Sequence, residues 1–218
     1  MAVLQSTLWE VAPGRRQELI GHAAHSKKIH ERHGCKVRLL QVEIAGMNSN
    51  RLAYILRHEN LTAFGKFSAA LQADEEWLAF QQNVIGSASP AGTLVSHGLA
   101  VELPGFEGPF PVTGKSVSVL TQLRANPGGM EALLGQIKTV KDIVEKNGAT
   151  VSVRTMQVAG QNTGLIGAAV SYDDIEAFGK GTDAVIATPE YGKLMAEMGA
   201  KDAPGTIVSR GLSFEIPI

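Results

Sequence analysis

The chain has little of what staples small secreted domains together or anchors a protein in a membrane. Cys35 is the single cysteine among 218 residues, so no intramolecular disulfide can form. Such usage is typical of the reducing cytoplasm, where we expect this protein to reside. No apolar run approaches the length of a membrane span, and the opening segment MAVLQSTLWE lacks the basic and apolar regions of a secretory signal. We therefore expect no membrane partner.

An excess of charge of one sign is also missing. The chain has 20 Lys and Arg residues against 21 Asp and Glu residues, and the basic ones are scattered rather than striped. This pattern argues against a nucleic-acid partner. A phosphate-binding glycine loop, a Cys-x-x-Cys pair, a nucleophile elbow and a zincin helix are absent as well. A small molecule or another protein remains as the expected partner.

Two long segments of the chain repeat each other. Residues 34–66 align without gaps with residues 148–180, and both contain the segments Ala-Gly-x-Asn and Ala-Phe-Gly-Lys. The ends match too, because SHGLAVELP at residues 96–104 aligns with SRGLSFEIP at residues 209–217. Matches in the middle and at the end of each half indicate a tandem duplication.

The proline-rich stretch between the two halves is predicted to be a rather stiff linker. It occupies residues 107–114. We therefore predict a first unit of residues 1–106 and a second unit of residues 115–218.

Each half carries the pattern of a ferredoxin-like βαββαβ unit. An alternating strand is followed by a helix, two strands, a second helix in two pieces and a closing strand. Gly34 and Gly148 stand where a left-handed residue would end the first helix of each unit. Apolar residues are expected on both faces of the sheet, so each sheet needs a partner. The fold class is predicted as α+β, with the two antiparallel sheets packing as a pseudo-two-fold α+β barrel.

With this element order, the chain resembles the dimeric α+β barrel superfamily, tandem-duplicated in one chain. The segments Asp-Glu-Glu-Trp at residues 74–77 and Thr-Pro-Glu-Tyr at residues 188–191 are similar to the start of that superfamily's second helix. Within it, NIPSNAP-like and antibiotic-biosynthesis-monooxygenase-like (ABM-like) proteins are the most similar. The resemblance implies a pocket between the helices and the sheet of one unit. It does not choose a reaction, since the superfamily includes cofactor-free monooxygenases, isomerases, cyclases and haem enzymes.

All six histidines lie in the first half, which makes it the candidate ligand-binding half and the second the candidate scaffold half. His22, His25 and His33 align with polar residues of the second half and are expected to face solvent. His22 and His25 could share a metal ion at their i, i+3 spacing. No carboxylate of suitable spacing completes such a site, so no metal is predicted.

His30 differs from these three because it aligns with Val144, on the buried stripe of the second unit's helix. Its neighbours Ala23 and Ser26 are also smaller than the residues with which they align. This combination predicts a cavity with an imidazole in its wall. A hydrogen-bonded core histidine, without a ligand, is the alternative interpretation.

Four further residues are candidates for the same pocket. His58 and His97 lie at strand ends, where polar site residues gather, although His58 also fits a helix-cap region before Asn60. Tyr54 aligns with an alanine and could reach the cavity. Trp77 could line it, or serve as a core or interface aromatic.

These residues support two hypotheses for function. In the first, the protein is an oxygenase, isomerase or cyclase acting on an apolar, aromatic or polyketide-like substrate. His30, with His58 or His97, would act as general acid/base, and no cofactor would be required. In the second, it is a non-catalytic binding or assembly protein of NIPSNAP-like type, with edge strands and the histidine-bearing helix face as association surfaces of a homo-oligomer. Haem binding is a third alternative. The substrate, the reaction and the oligomeric state stay open.

Overall fold

The computed structural model describes residues 1–218 and contains eight strands and six α-helices. The first unit comprises β1 (Val3–Val11), α1 (Arg16–Arg32), β2 (Lys36–Ile44), β3 (Arg51–His58), α2 (Leu61–Gln72), α3 (Glu75–Phe80) and β4 (Gly92–Glu102). The second comprises β5 (Val117–Ala125), α4 (Met130–Lys146), β6 (Thr150–Val158), β7 (Ile166–Tyr172), α5 (Ile175–Ile186), α6 (Pro189–Met198) and β8 (Gly205–Ile216). The predicted βαββαβ order is confirmed in both halves.

The eight strands form one closed antiparallel barrel in the order β1-β3-β2-β8-β5-β7-β6-β4. The predicted α+β barrel is therefore confirmed. Its two sheets are joined edge to edge by hydrogen-bonded ladders between β2 and β8 and between β4 and β6. Because closure leaves none of the eight strands with a free edge, the expectation that edge strands serve as association surfaces is wrong.

Local sequence determines where the helices begin and end. Gly34 and Gly148 have φ angles of 86° and 85°, a left-handed conformation that side chains disfavour, and they end α1 and α4 as predicted. Asn60 and Asp174 cap α2 and α5, each accepting a hydrogen bond of 2.9 Å from the backbone three residues on. Asp74 caps α3 in the same way and produces the predicted break after α2.

Each unit has its own apolar core between its helices and the outer face of the barrel. In the first unit the core contains Cys35, Val37, Leu39, Leu52, Tyr54, Leu56 and Phe67. In the second it contains Leu123, Leu133, Ile137, Val144, Ala149, Val151, Val153, Ile166, Tyr172 and Val185. Strand alternation sends every second side chain into one of these cores and the others into the barrel. None of the helices has the length and apolar character needed to cross a bilayer.

The barrel interior is more polar than the predicted apolar faces. Glu215 on β8 accepts a hydrogen bond of 2.7 Å from Ser116 and lies 3.6 Å from Nε of Arg38 on β2. Arg38 also donates to Ser116 at 2.7 Å. Within the first unit, the half-buried Arg57 pairs with the buried Glu102 at 3.0 Å. Buried ions are tolerated only when paired, and the Arg38–Glu215 pair joins the two units by opposite charges in addition to the backbone ladders.

Candidate functional site

A cavity of about 410 Å³ lies in the first unit, between its helices and the outer face of its strands. Hydrophobic residues make up 16 of its 27 lining residues, which is typical of small-molecule sites. The structure brings together all but one of the residues predicted from sequence. The residues on the cavity wall are Ala23, Ser26, His30, Tyr54, Trp77 and His97.

His30 and Tyr54 form a buried pair in this wall. Nδ1 of His30 lies 2.8 Å from the hydroxyl oxygen of Tyr54, and the imidazole packs against the ring of Trp77 at a centroid distance of 4.6 Å. Burial lowers the pKa of His30 from 6.5 to about 4, helped by the charges of His33 and His58. Burial also raises the pKa of the Tyr54 hydroxyl. Both groups are therefore uncharged at neutral pH.

The pair can interact with a ligand through Nε2 of His30. Nε2 has no hydrogen-bond partner in the protein, whereas Nδ1 is held by Tyr54. When Nδ1 carries the proton and donates to Tyr54, Nε2 is an acceptor available to a ligand. When the hydroxyl donates to Nδ1 instead, Nε2 carries the proton and becomes a donor. The pair can thus present either a weak base or a hydrogen-bond donor to the cavity.

His97 lies at the mouth of the cavity, where its side chain is exposed. Its Nε2 is 2.9 Å from the side-chain nitrogen of Gln5, and Oε1 of Gln5 is buried without a partner. Gln5, Thr7 and Trp9 also line the cavity, and none of them was predicted from sequence. Strand alternation in β1 was the available signal, since residues 5, 7 and 9 share one face.

His58 is not on the cavity wall, which corrects the expectation that it would act beside His30. Its side chain is buried, with the imidazole packed against Phe67 at 4.7 Å and against Phe64 at 5.5 Å. Alternation along β3 places His58 on the same face as Tyr54, but Phe67 occupies the space beside the cavity. Burial lowers the pKa of His58, and its Nε2 has no partner.

The remaining histidines on α1 and at its end have different surroundings. His22 lines the cavity, so the expectation that it faces solvent is wrong, whereas His25 and His33 do not line it. His25 is exposed, as predicted, and lies 3.4 Å from a Glu76 oxygen. His33 is half-buried and lies 2.6 Å from a carboxylate oxygen of Asp74. These contacts tie α1 to α3, the helix that carries Trp77. The structure has no group of three or more His, Cys, Asp or Glu residues placed to hold a metal ion.

A second cavity, of about 460 Å³, occupies the equivalent position in the second unit. The second unit is thus not solidly packed, although it was expected to be scaffold. Larger residues on α4 are offset on β7, where Ala168 aligns with Tyr54 and lines the cavity. No histidine lines this cavity, and Arg210 is its one charged residue.

No protein-family model matches the chain, and no curated protein matches its sequence. Solved structures are similar over almost the whole length. A protein proposed to be a monooxygenase from Fusobacterium nucleatum shares 14% identity, covering 99% of this chain and 91% of that one, with a TM-score of 0.64. An anthrone oxidase-like protein shares 15%, covering 98% and 91%, with a TM-score of 0.58. A haem-binding protein from Thermus thermophilus shares 12%, covering 98% and 90%, with a TM-score of 0.56.

The chain has the α+β barrel fold. Identities this low show the fold alone, because proteins that share it carry out unrelated chemistry. The finer resemblance to NIPSNAP-like or ABM-like proteins stays a prediction.

One of these similar structures is that of a haem-binding protein, but haem ligated by histidine does not fit either cavity of this chain. A haem site of the globin or peroxidase kind needs an imidazole ligand, and its two propionates favour cationic partners. The first cavity has imidazoles but no Arg or Lys in its wall. The second has Arg210 but no histidine. Neither cavity therefore combines a histidine with a cationic side chain.

Proposed function

We propose that the first unit is the active site of an enzyme that acts on a small, largely apolar, aromatic compound. The observation that carries this proposal is the pair of His30 and Tyr54 in the wall of an otherwise apolar cavity. A polar pair of this kind in apolar surroundings is typical of acid/base catalysis. Trp77, Phe67 and Tyr54 offer ring faces and edges to an aromatic substrate.

His30 would take a proton from the substrate through Nε2. Its Nδ1–H would then donate to the Tyr54 oxygen and hold the imidazole in place. With a pKa of about 4, the imidazole is unprotonated over the physiological range. It holds a proton only when an anion forms beside it, so the substrate must carry an acidic C–H or O–H, such as a phenol or a CH₂ flanked by aromatic rings or a carbonyl. The ion pair formed in the apolar cavity stabilises that anion.

Oxygenation is the reaction that we favour among the three that share this first step. Dioxygen would be the co-substrate: a CH₂ group and O₂ give a carbonyl group and one water molecule, so one oxygen atom enters the product. The chain's structural likeness to a proposed monooxygenase and to an anthrone oxidase-like protein supports this choice. Isomerisation or cyclisation would follow instead if the carbanion were reprotonated or attacked a carbonyl.

Anthrone is a suitable first probe, because it is a planar aromatic ketone with an acidic CH₂ group. Trp9 and Trp77 are the only tryptophans of the chain, and both line the first cavity, so bound anthrone should quench tryptophan fluorescence. Quinone formation and O₂ consumption then measure turnover. We expect His30→Gln to lower kcat/KM by about 100-fold or more, the usual effect of losing a general base. His25→Gln, on an exposed histidine of the same helix, is the matched control and should leave the rate unchanged.

Other outcomes separate the alternatives. Quenching without turnover, for anthrone and for a panel of phenols and diketones, would favour the non-catalytic ligand-binding hypothesis. Turnover that survives His30→Gln would contradict the assigned base. The absence of both quenching and turnover across the panel would contradict the proposed site.

A further inference from the structure

The geometry points to a second small-molecule site, in the cavity of the second unit, that takes an aliphatic molecule with a carboxylate head. This inference goes beyond the proposed function. It needs neither His30 nor the first cavity.

The wall of the second cavity is strongly apolar. Hydrophobic residues make up 19 of its 24 lining residues, and most of these are Val, Ile, Leu or Met. Its volume of about 460 Å³ lies within the range of small-ligand sites. Flexible methionines such as Met195 and Met198 adapt to aliphatic chains of varied shape. The body of the ligand should therefore be a hydrocarbon chain.

Arg210 favours a negatively charged group at the other end of the ligand. It is exposed, it lines the cavity, and no carboxylate of the protein lies within salt-bridge distance of it. A guanidinium stays charged at all physiological pH values and binds carboxylates through two parallel hydrogen bonds. Thr121, its partner in the β5–β8 register, adds a hydroxyl to the same wall. The fixed positive charge at an apolar cavity thus favours an anionic head.

Gln136 is a second polar group in the wall of this cavity. It lines the cavity, and its Oε1 is buried without a hydrogen-bond partner. Buried acceptors of this kind are rare in folded proteins, because each unmet hydrogen bond is costly. A carboxylate has no proton to donate, so a water molecule bound together with the ligand would supply the missing donor.

The experiment is calorimetric titration of the full chain with sodium dodecanoate below its micellar concentration. Arg210→Gln should weaken binding by about fivefold, the effect of one exposed ion pair. Arg124→Gln, on an exposed arginine of β5 outside the cavity, is the matched control and should have no effect. Dodecanol should bind the wild type about fivefold more weakly than dodecanoate does. Because dodecanol has no charge, it should bind Arg210→Gln and the wild type with equal affinity.

Two variants, each of which fills one of the cavities with a larger side chain, show which cavity binds dodecanoate. Ala168→Tyr installs the residue that the first unit carries at this position and should abolish dodecanoate binding. Ala23→Ile installs the second unit's residue in the first cavity and should leave dodecanoate binding unchanged. Tryptophan fluorescence should also stay constant during the titration, because both tryptophans line the first cavity.

The inference would be overturned by any of three results. These are no binding of dodecanoate, equal binding of dodecanol and dodecanoate to the wild type, or loss of binding in Ala23→Ile together with tryptophan quenching. The first two do not involve a buried substitution, so a failure of Ala168→Tyr to fold leaves the test intact. None of these results bears on the turnover of anthrone, which tests the proposed function separately.

Discussion

The two cavities occupy the same place in two units of the same fold, yet they offer different chemistry. His30, Tyr54 and His97 line the first, and Val144, Ala168 and Arg210 stand at the aligned positions in the second. Their volumes are nevertheless similar, about 410 and 460 Å³. In the first unit the cavity has small residues on α1 and the large Tyr54 on β3. In the second unit it has larger residues on α4 and the small Ala168 on β7. Cavity chemistry thus differs between the two units while cavity volume is nearly the same, on one scaffold.

Glu215 and Glu102 occupy aligned positions in the two units. Removing their charges should give the largest change in the free energy of unfolding. Glu215→Gln leaves Arg38 buried without a counter-ion, which should lower the free energy of unfolding by about 3–5 kcal/mol. Glu102→Gln should cost less, about 1–3 kcal/mol, because the Arg57 side chain is 24% exposed and can reach water. Urea denaturation of both variants measures the difference. Equal losses would show that the two halves of the barrel interior do not differ in this respect.

His30→Val copies Val144 of the second unit into the first and tests the pKa of the imidazole. The unfolded chain protonates near pH 6.5 and the folded chain only near pH 4, so between these values the unfolded state binds more protons. The free energy of unfolding of the wild type should therefore fall by about 3 kcal/mol on going from pH 6.5 to pH 4. His58, whose pKa is lowered in the same direction, adds to this loss.

In His30→Val the decline should be smaller by about that amount, as read from urea midpoints at several pH values. His25→Gln, which changes an exposed histidine, should keep the wild-type slope. An unchanged slope in His30→Val would mean that His30 is not a buried neutral histidine, and its role as base would lose its support.

Substitution of the helix N-caps should give the smallest loss of stability. The loss should be the same in the two units. Asn60→Ala and Asp174→Ala each remove a side-chain oxygen that caps α2 or α5 at 2.9 Å. Each should lower the free energy of unfolding by about 1 kcal/mol. Thermal denaturation at neutral pH measures both variants. A much larger loss for one cap would show that the equivalent helices contribute unequally to stability.

Most of the fold could be predicted from local signals in the sequence. The left-handed glycines at 34 and 148 and the break before Asp74 depend on backbone conformation within a few residues, so sequence spacing reveals them. The cavity residues on α1 were predictable for a related reason. Alignment of Ala23, Ser26 and His30 with a buried stripe of the second half shows which helix face meets the sheet.

The placement of His58 could not be predicted, because it depends on Phe67, a residue on another element. The contribution of Gln5 was also hidden, since alternation in β1 reveals the face but not what covers it. The second cavity was missed for the same reason. The sequence shows larger residues on α4, whereas the space that remains depends on Ala168, which lies on another element, β7.

The sequence by itself determined the order of the elements, the two equivalent units and the helix face that carries His30, because these follow from periodicity and from turn residues close together in the chain. Only the tertiary structure decided that the sheets close without free edges, that Arg38 meets Glu215 inside the barrel, and that His30 bonds to Tyr54 while His58 does not reach the cavity. Each of these depends on contacts between residues far apart in sequence. Such contacts are set by the packing of whole elements, and local pattern does not encode them.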